Sequence, residues 1–127
     1  MRDIDRFCQM CAMIGGLGCE TRIQGASANT WQPLVDIFEK RDAIVVLVEL
    51  PGADKESLDV VVESGTLRIA GYRPKQLPEG TEHVHQMEIQ YGPFARIIRL
   101  PEGVDVDRIE AKYEGGYLAV EIPRRKD

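Results

Sequence analysis

Leu58-Asp59-Val60-Val61-Val62-Glu63-Ser64-Gly65-Thr66-Leu67-Arg68-Ile69-Ala70 is the stretch that decides the fold of this chain. Leu58, Val60 and Val62 alternate with Asp59, Val61 and Glu63, the period of two that puts successive side chains on opposite faces of a strand. Ser64-Gly65 then supplies a two-residue turn, because a tight hairpin wants residues that tolerate positive φ. On the return strand Leu67 and Ile69 point one way, Arg68 and Ala70 the other. Which face of Leu58–Glu63 lies inward is left open by Val61.

The same texture extends in both directions. Upstream, Leu34–Glu39 is a short strand candidate. Ala43–Leu50 is apolar on both faces, as suits a strand in mid-sheet with both sides covered, and Pro51-Gly52 turns the chain after it. Downstream, Phe94–Leu100, Ile109–Glu114 and Tyr117–Ile122 are separated by Pro101-Glu102-Gly103 and by Gly115-Gly116. Between Arg73 and Pro93 the prolines Pro74 and Pro78 and Gly80 forbid a central strand but permit a short edge strand near Val84–Ile89. No segment of 31–123 sustains a helical period. Seven to eight short strands with turn signals every 8–12 residues predict an all-β, immunoglobulin-like antiparallel β-sandwich.

Before Trp31 the pattern changes. Ile4, Phe7, Cys8, Cys11 and Ile14 recur at helical spacing until Gly15-Gly16 and Gly18 end it, and residues 20–30 have no period. The expected organisation is an N-terminal arm (1–30) with one short amphipathic helix and a linker, a sandwich domain (31–123) and a short basic tip (124–127).

Composition narrows the function. The chain has 127 residues, 16 Lys and Arg against 21 Asp and Glu, and a net charge of −5. That balance offers no electrostatic pull toward nucleic acid or anionic lipid. No apolar run is long enough to span a membrane, and acids at Asp3 and Asp5 argue against a signal peptide, so the expectation is a cytoplasmic chain. All three cysteines fall in the first twenty residues, so no disulfide framework staples the domain. Cys8-Gln-Met-Cys11 has the spacing of a metal or redox pair with Cys19 as a third ligand. A structural zinc site takes four ligands, however, and no second such motif follows. The plainer reading makes Cys8 and Cys11 small apolar residues on a helix face, and no metal or cofactor is expected. His83 and His85 share a face of an extended segment without an identifiable nucleophile to orient, and no phosphate-binding glycine loop exists. The chain is not expected to be an enzyme.

Several elements stand in a recognisable order: Pro51-Gly52, Leu67-Arg68-Ile69-Ala70-Gly71-Tyr72-Arg73, Glu88, Tyr91-Gly92-Pro93-Phe94-Ala95-Arg96, Leu100-Pro101, Ala111 to Leu118, and Ile122-Pro123. Together they resemble the α-crystallin domain of small heat-shock proteins, whose signature Ala-x-x-x-x-Gly-x-Leu falls on Ala111, Gly116 and Leu118. Gly116 is read as the hairpin glycine, with Ala111 and Leu118 facing each other across that hairpin.

The resemblance implies an ATP-independent holdase that binds partly unfolded client proteins and prevents their aggregation. It implies a client groove between two strand edges, here Leu58, Val60 and Val62 against Ile109, Ala111 and Tyr113. It also implies a homodimer by strand exchange, in which Val84, Met87, Glu88 and Ile89 reach the partner's Leu34, Ile37 and Glu39. Arg73, Arg96 and Arg99 are the further charges expected near that contact. Family members carry an Ile-x-Ile tail motif that builds larger oligomers; only Arg124-Arg125-Lys126-Asp127 follow Pro123, which leaves oligomers beyond the dimer to other contacts. Two rival functions share these residues: a CS-domain-like co-chaperone adaptor, which the Val84–Ile89 insertion disfavours, and a metal- or redox-responsive binding protein using the cysteines.

Overall fold

The computed structural model describes residues 30–126, and all its long elements are strands. In chain order these are β1 (Val35–Glu39), β2 (Ala43–Glu49), β3 (Asp59–Glu63), β4 (Thr66–Arg73), β5 (Gly92–Arg99), β6 (Glu110–Glu114) and β7 (Tyr117–Pro123). They form two antiparallel sheets, a four-stranded one in the order β1-β2-β7-β6 and a three-stranded one in the order β3-β4-β5. Two one-turn 3-10 helices, Lys55–Ser57 and Val106–Arg108, precede β3 and β6.

Alternation sets the core. Ile44, Val46, Val48 and Leu50 of the β2 segment and Leu118, Val120 and Ile122 of β7 point into it from one sheet. Val62, Leu67, Ile69, Phe94 and Ile98 point into it from the other. The open question about β3 is thereby answered: Val62 faces inward and Val61 outward. The double-sided apolar character of β2 is only half used, since Val45 and Leu47 on its outer face are half-buried.

Both tight turns form at the residues whose types favour them. Ser64 (φ 53) and Gly65 (φ 80) join β3 to β4, and Gly115 (φ 61) and Gly116 (φ 87) join β6 to β7. Two successive positive φ values make a turn whose twist matches the strands it connects. Gly116 carries a second constraint, since a Cβ there would stand 3.2 Å from Pro51 Cα. Its carbonyl accepts from Leu50 N at 2.7 Å, so this hairpin is sewn to the turn after β2.

One expectation is corrected here. Ala111 does not pair with Leu118. The two-residue loop sets Glu114 opposite Tyr117, which puts Tyr113 opposite Leu118 and Ala111 opposite Val120. Another is modified: Val84–Ile89 forms no strand within the single chain, and the segment from Lys75 to Gln90 is exposed throughout. A strand needs a ladder partner, and among the described residues this segment pairs with no strand.

Candidate functional site: an open edge between the sheets

Four strands facing three leave the sandwich unequal at its sides. On one side β6 closes the larger sheet and β3 the smaller. Both strands are entered the same way. Asp54 accepts a hydrogen bond from Glu56 N and Asp105 from Asp107 N, each at 3.1 Å, capping a 3-10 turn. The turns end at Leu58 (φ −69, ψ 133) and Ile109 (φ −70, ψ 137), nearly identical extended residues that lead into β3 and β6. An Asp side chain bonding the amide two residues on is a recognised turn device. The motif Asp-x-x-Ser/Arg-Leu/Ile, at 54–58 and 105–109, was the unused signal for this pair.

From these matched entries, Leu58 and Val60 on one strand and Ile109 and Tyr113 on the other are partly buried and pack against the core. Ala111 also faces inward, by register with Val120, yet it is exposed. Ala111 is thus an inward-row residue of the edge strand β6 that none of the described residues covers. Tyr113 fastens the end of that strand, its hydroxyl donating to Leu50 O at 2.6 Å. Val62 stands apart from this edge; at 7 % exposure it is part of the core. Of the six residues expected to line a groove, Leu58, Val60, Ile109 and Tyr113 are half-buried against the core, Ala111 is exposed and Val62 is buried in the core.

The opposite side joins β1 to β5. Trp31 runs parallel beside Phe94, its amide donating to Pro93 O at 3.2 Å and its carbonyl accepting from Ala95 N at 3.0 Å. Arg96, on the inward row with Phe94 and Ile98, is buried and its Nη1 donates to Pro33 O at 2.6 Å. Within one chain this arginine therefore ties β5 to the entrance of β1. Arg73 sits over the Trp31 ring at 4.3 Å and donates through Nε to Gln90 O and through Nη1 to Pro51 O. That clamp holds the two ends of the 74–91 loop together. The loop itself presents Val84, Met87 and Ile89 to solvent, Ile89 at 65 %. Glu88 accepts from Gln86 Nε2, and Glu39 pairs with Arg124. Leu34 stands 70 % exposed just before β1, with Ile37 partly buried on that strand. Beside them lies a shallow depression of Ile37, Phe38, Ile44, Ile98 and Leu100, which sequence reasoning did not single out.

Cys8, Cys11 and Cys19 lie outside the described residues. Among those described, no three His, Cys, Asp or Glu side chains converge as metal ligands, and no helix is long and apolar enough to cross a membrane.

Residues 36–127 match the model of the Hsp20/alpha crystallin family. The chain belongs to that family. It is 38 % identical over 107 residues to Heat shock protein 16 of Schizosaccharomyces pombe, covering 81 % of this chain and 73 % of that protein. It is 40 % identical to the 18.0 kDa class I heat shock protein of Daucus carota, covering 78 % of this chain and 61 % of the relative. The chain spans about three fifths of the length of several curated relatives. Among solved structures, a small heat-shock protein from Xylella fastidiosa superposes with a TM-score of 0.69 at 37 % identity, over 77 % of this chain and 90 % of that one. The hspA protein of Xanthomonas axonopodis gives 0.69 at 36 %, over 76 % and 96 %. Members of this Hsp20/alpha crystallin family are generally chaperones, not enzymes, and the two-sheet sandwich is the family's domain.

Proposed function

We propose that this Hsp20/alpha crystallin domain is an ATP-independent holdase that binds partly unfolded proteins along the β3–β6 edge and dimerises through the 74–91 loop. One observation carries the reading: Ala111 faces inward yet is exposed, flanked by the half-buried Leu58, Val60, Ile109 and Tyr113. Unfolding proteins expose apolar segments and unpaired strand edges. An apolar opening bordered by two edge strands offers both kinds of contact, burial of side chains and main-chain pairing. Dimerisation is supported by the loop, whose Val84, Met87 and Ile89 are exposed, with Met87 and Ile89 two residues apart and so on one face of an extended segment. Pairing that segment with a partner's β1 would cover Met87 and Ile89 on one face and extend the sheet edge. Together the reading is of a cytoplasmic homodimer acting on unfolded clients.

The test is light scattering from a heat-unfolding client, such as citrate synthase, with the full chain in equimolar amount. Suppressed scattering without ATP is the expected result. Unchanged scattering across several clients sinks the holdase reading, and a monomer by sedimentation equilibrium sinks the exchanged loop.

A further inference from the structure

The charge of this protein is not spread evenly over it. Residues 54–63 and 105–114, the edge strands β3 and β6 with the turns that lead into them, carry eight carboxylates against three cations. Their net −5 equals that of the whole chain, so the other 107 residues balance to zero. The pleat decides where these charges point. On β3, Val60 and Val62 face inward, which puts Asp59 and Glu63 on the outward row. On β6, Ala111 and Tyr113 lie opposite the core residues Val120 and Leu118, which puts Glu110 and Glu114 on the outward row. All four carboxylates are exposed. Asp54 and Glu56 belong to the turn before β3, Asp105 and Asp107 to the turn before β6. Arg108 stands 3.6 Å from Asp105 and Lys112 3.3 Å from Glu114, while Arg68 of β4 reaches Asp59 at 3.7 Å. With Arg68 included the edge still carries −4. The carboxylates are drawn out along two strands beside the apolar row, not gathered at a point that one cation could fill.

We propose that the β3–β6 edge selects, among unfolded segments, those in which apolar residues alternate with Lys or Arg. This rests on the holdase reading of that edge and adds to it the chemistry of the preferred client. A segment that pairs along a free strand edge becomes a strand itself, with side chains in two alternating rows. Its inward row meets Leu58 and Val60, or Ile109 and Tyr113, and suits apolar residues. Its outward row meets Asp59 and Glu63, or Glu110 and Glu114. Residues directly opposite on neighbouring strands stand ~4.5–5.5 Å apart at Cβ, where opposite charges stabilise the pairing and like charges oppose it. Basic residues on that row are therefore favoured on either strand, and Asp or Glu disfavoured on both. The same field acts before contact, drawing positively charged segments toward the edge and raising their rate of arrival.

Three nine-residue peptides with the same alternating Ile and Val test the proposal, with Lys, Ser or Glu at the positions between. A fourth has the composition of the Lys peptide with its lysines moved to one end. Each carries the same N-terminal dye, and binding to the full chain is read by fluorescence anisotropy. At ~0.1 M salt charges act over ~10 Å, about two strand spacings. There the alternating Lys peptide should bind about fivefold tighter than the Ser peptide, the Glu peptide more weakly than either, and the block peptide no better than the Ser peptide. At ~1 M salt the range falls to ~3 Å, and the three alternating peptides should agree within about twofold. Glu63→Lys with Glu110→Lys reverses one carboxylate on each outward row and should lower the Lys preference to about twofold or less. Glu110 lies opposite Glu121, so Glu110→Lys alone replaces a like-charge pair; it should lower the preference without lowering the melting temperature. A Glu peptide that binds as well as the Lys peptide, a block peptide equal to the alternating one, or a preference untouched by the reversals overturns the selectivity while leaving the edge as a client site. If no peptide binds, the edge is not a client site and the selectivity falls with it.

Discussion

Replacing Gly71 by alanine tests the packing at the centre of the smaller sheet. Gly71 lies in the extended backbone of β4 and pairs with Phe94, so no positive φ stands in the way of a side chain. Space does. A Cβ there would come within 2.6 Å of Phe94 Cζ and 3.1 Å of both Phe94 Cε1 and Leu58 Cδ2. The ring has nowhere to retreat, being buried and held edge-on against Trp31 with centroids 5.3 Å apart at 62°. Removing a glycine's unfolded-state freedom favours folding by ~0.4–1 kcal/mol. Overpacking a filled core costs ~1–3 kcal/mol, and a ring that must shift by most of an ångström lies toward the upper part of that range. The expected net loss for Gly71→Ala is about 1–2 kcal/mol, or roughly 4–16 °C in Tm for a domain of this size. Differential scanning calorimetry at one fixed protein concentration measures it, since assembly makes Tm concentration-dependent. Phe94→Leu provides the cross-check. If the clash is the cause, the double variant is more stable than the sum of the single changes by about 1 kcal/mol or more. A Gly71→Ala protein as stable as the parent, or strictly additive changes, would show that the ring does not press on this position.

Other perturbations separate the two edges. Ala111→Glu places a charge on the uncovered inward row of β6 and should cut protection of a heat-unfolding client severalfold. Ala111 is exposed, so stability should move by no more than ~0.5 kcal/mol; full protection would place client binding elsewhere. Met87→Asp combined with Ile89→Asp changes two exposed loop residues. It should convert a dimer to monomer by sedimentation velocity with an unchanged far-UV spectrum, and an unaltered mass would exclude the loop from the contact. Tyr113→Phe deletes the hydroxyl that donates to Leu50 O. Leu50 O keeps its bond from Ala53 N at 3.3 Å, so the loss is that of one hydrogen bond and should cost about 0.5–1.5 kcal/mol in urea unfolding; no loss would mean that solvent takes the hydroxyl's place.

The strands and tight turns were legible because their causes are local. Period-two alternation, Ser64-Gly65 and Gly115-Gly116 each act within a few residues. Apart from the register of one hairpin, what the sequence leaves open depends on a second element. Ala111 was set against Leu118, although a two-residue loop between Glu114 and Tyr117 already forces Ala111 opposite Val120. Counting outward from the glycines would have found it. Val62 looked equivalent to Val60 along β3, and only the facing sheet separates the buried position from the half-open one. Val84–Ile89 has strand-like composition, but strand formation is a property of a pair, and no described strand pairs with it. Arg96 shares a row with Phe94 and Ile98, so its inward direction was readable from parity. The Pro33 carbonyl that receives it, far away in sequence, was not.

The polar contacts on the β1–β5 side have a consequence for how the two edges act together. Trp31, Pro33, Arg73 and Arg96 tie the arm's entry, the ends of the 74–91 loop and the start of β1 to β5. Each is a bond between segments of quite different sequence position, so this side is braced independently of what the loop tip contacts. The β3–β6 side has its own fastening in Tyr113 and the capped turns at Asp54 and Asp105. The core between them is close-packed, with Val46, Val48, Leu67, Ile69 and Val120 fully buried. Packed interiors resist small continuous deformation, so an occupant at one edge has no loose element through which to disturb the other. The proposed pairing at β1 and the proposed client binding at β3–β6 are therefore expected to be additive rather than competitive, so that disrupting either should leave the other unchanged.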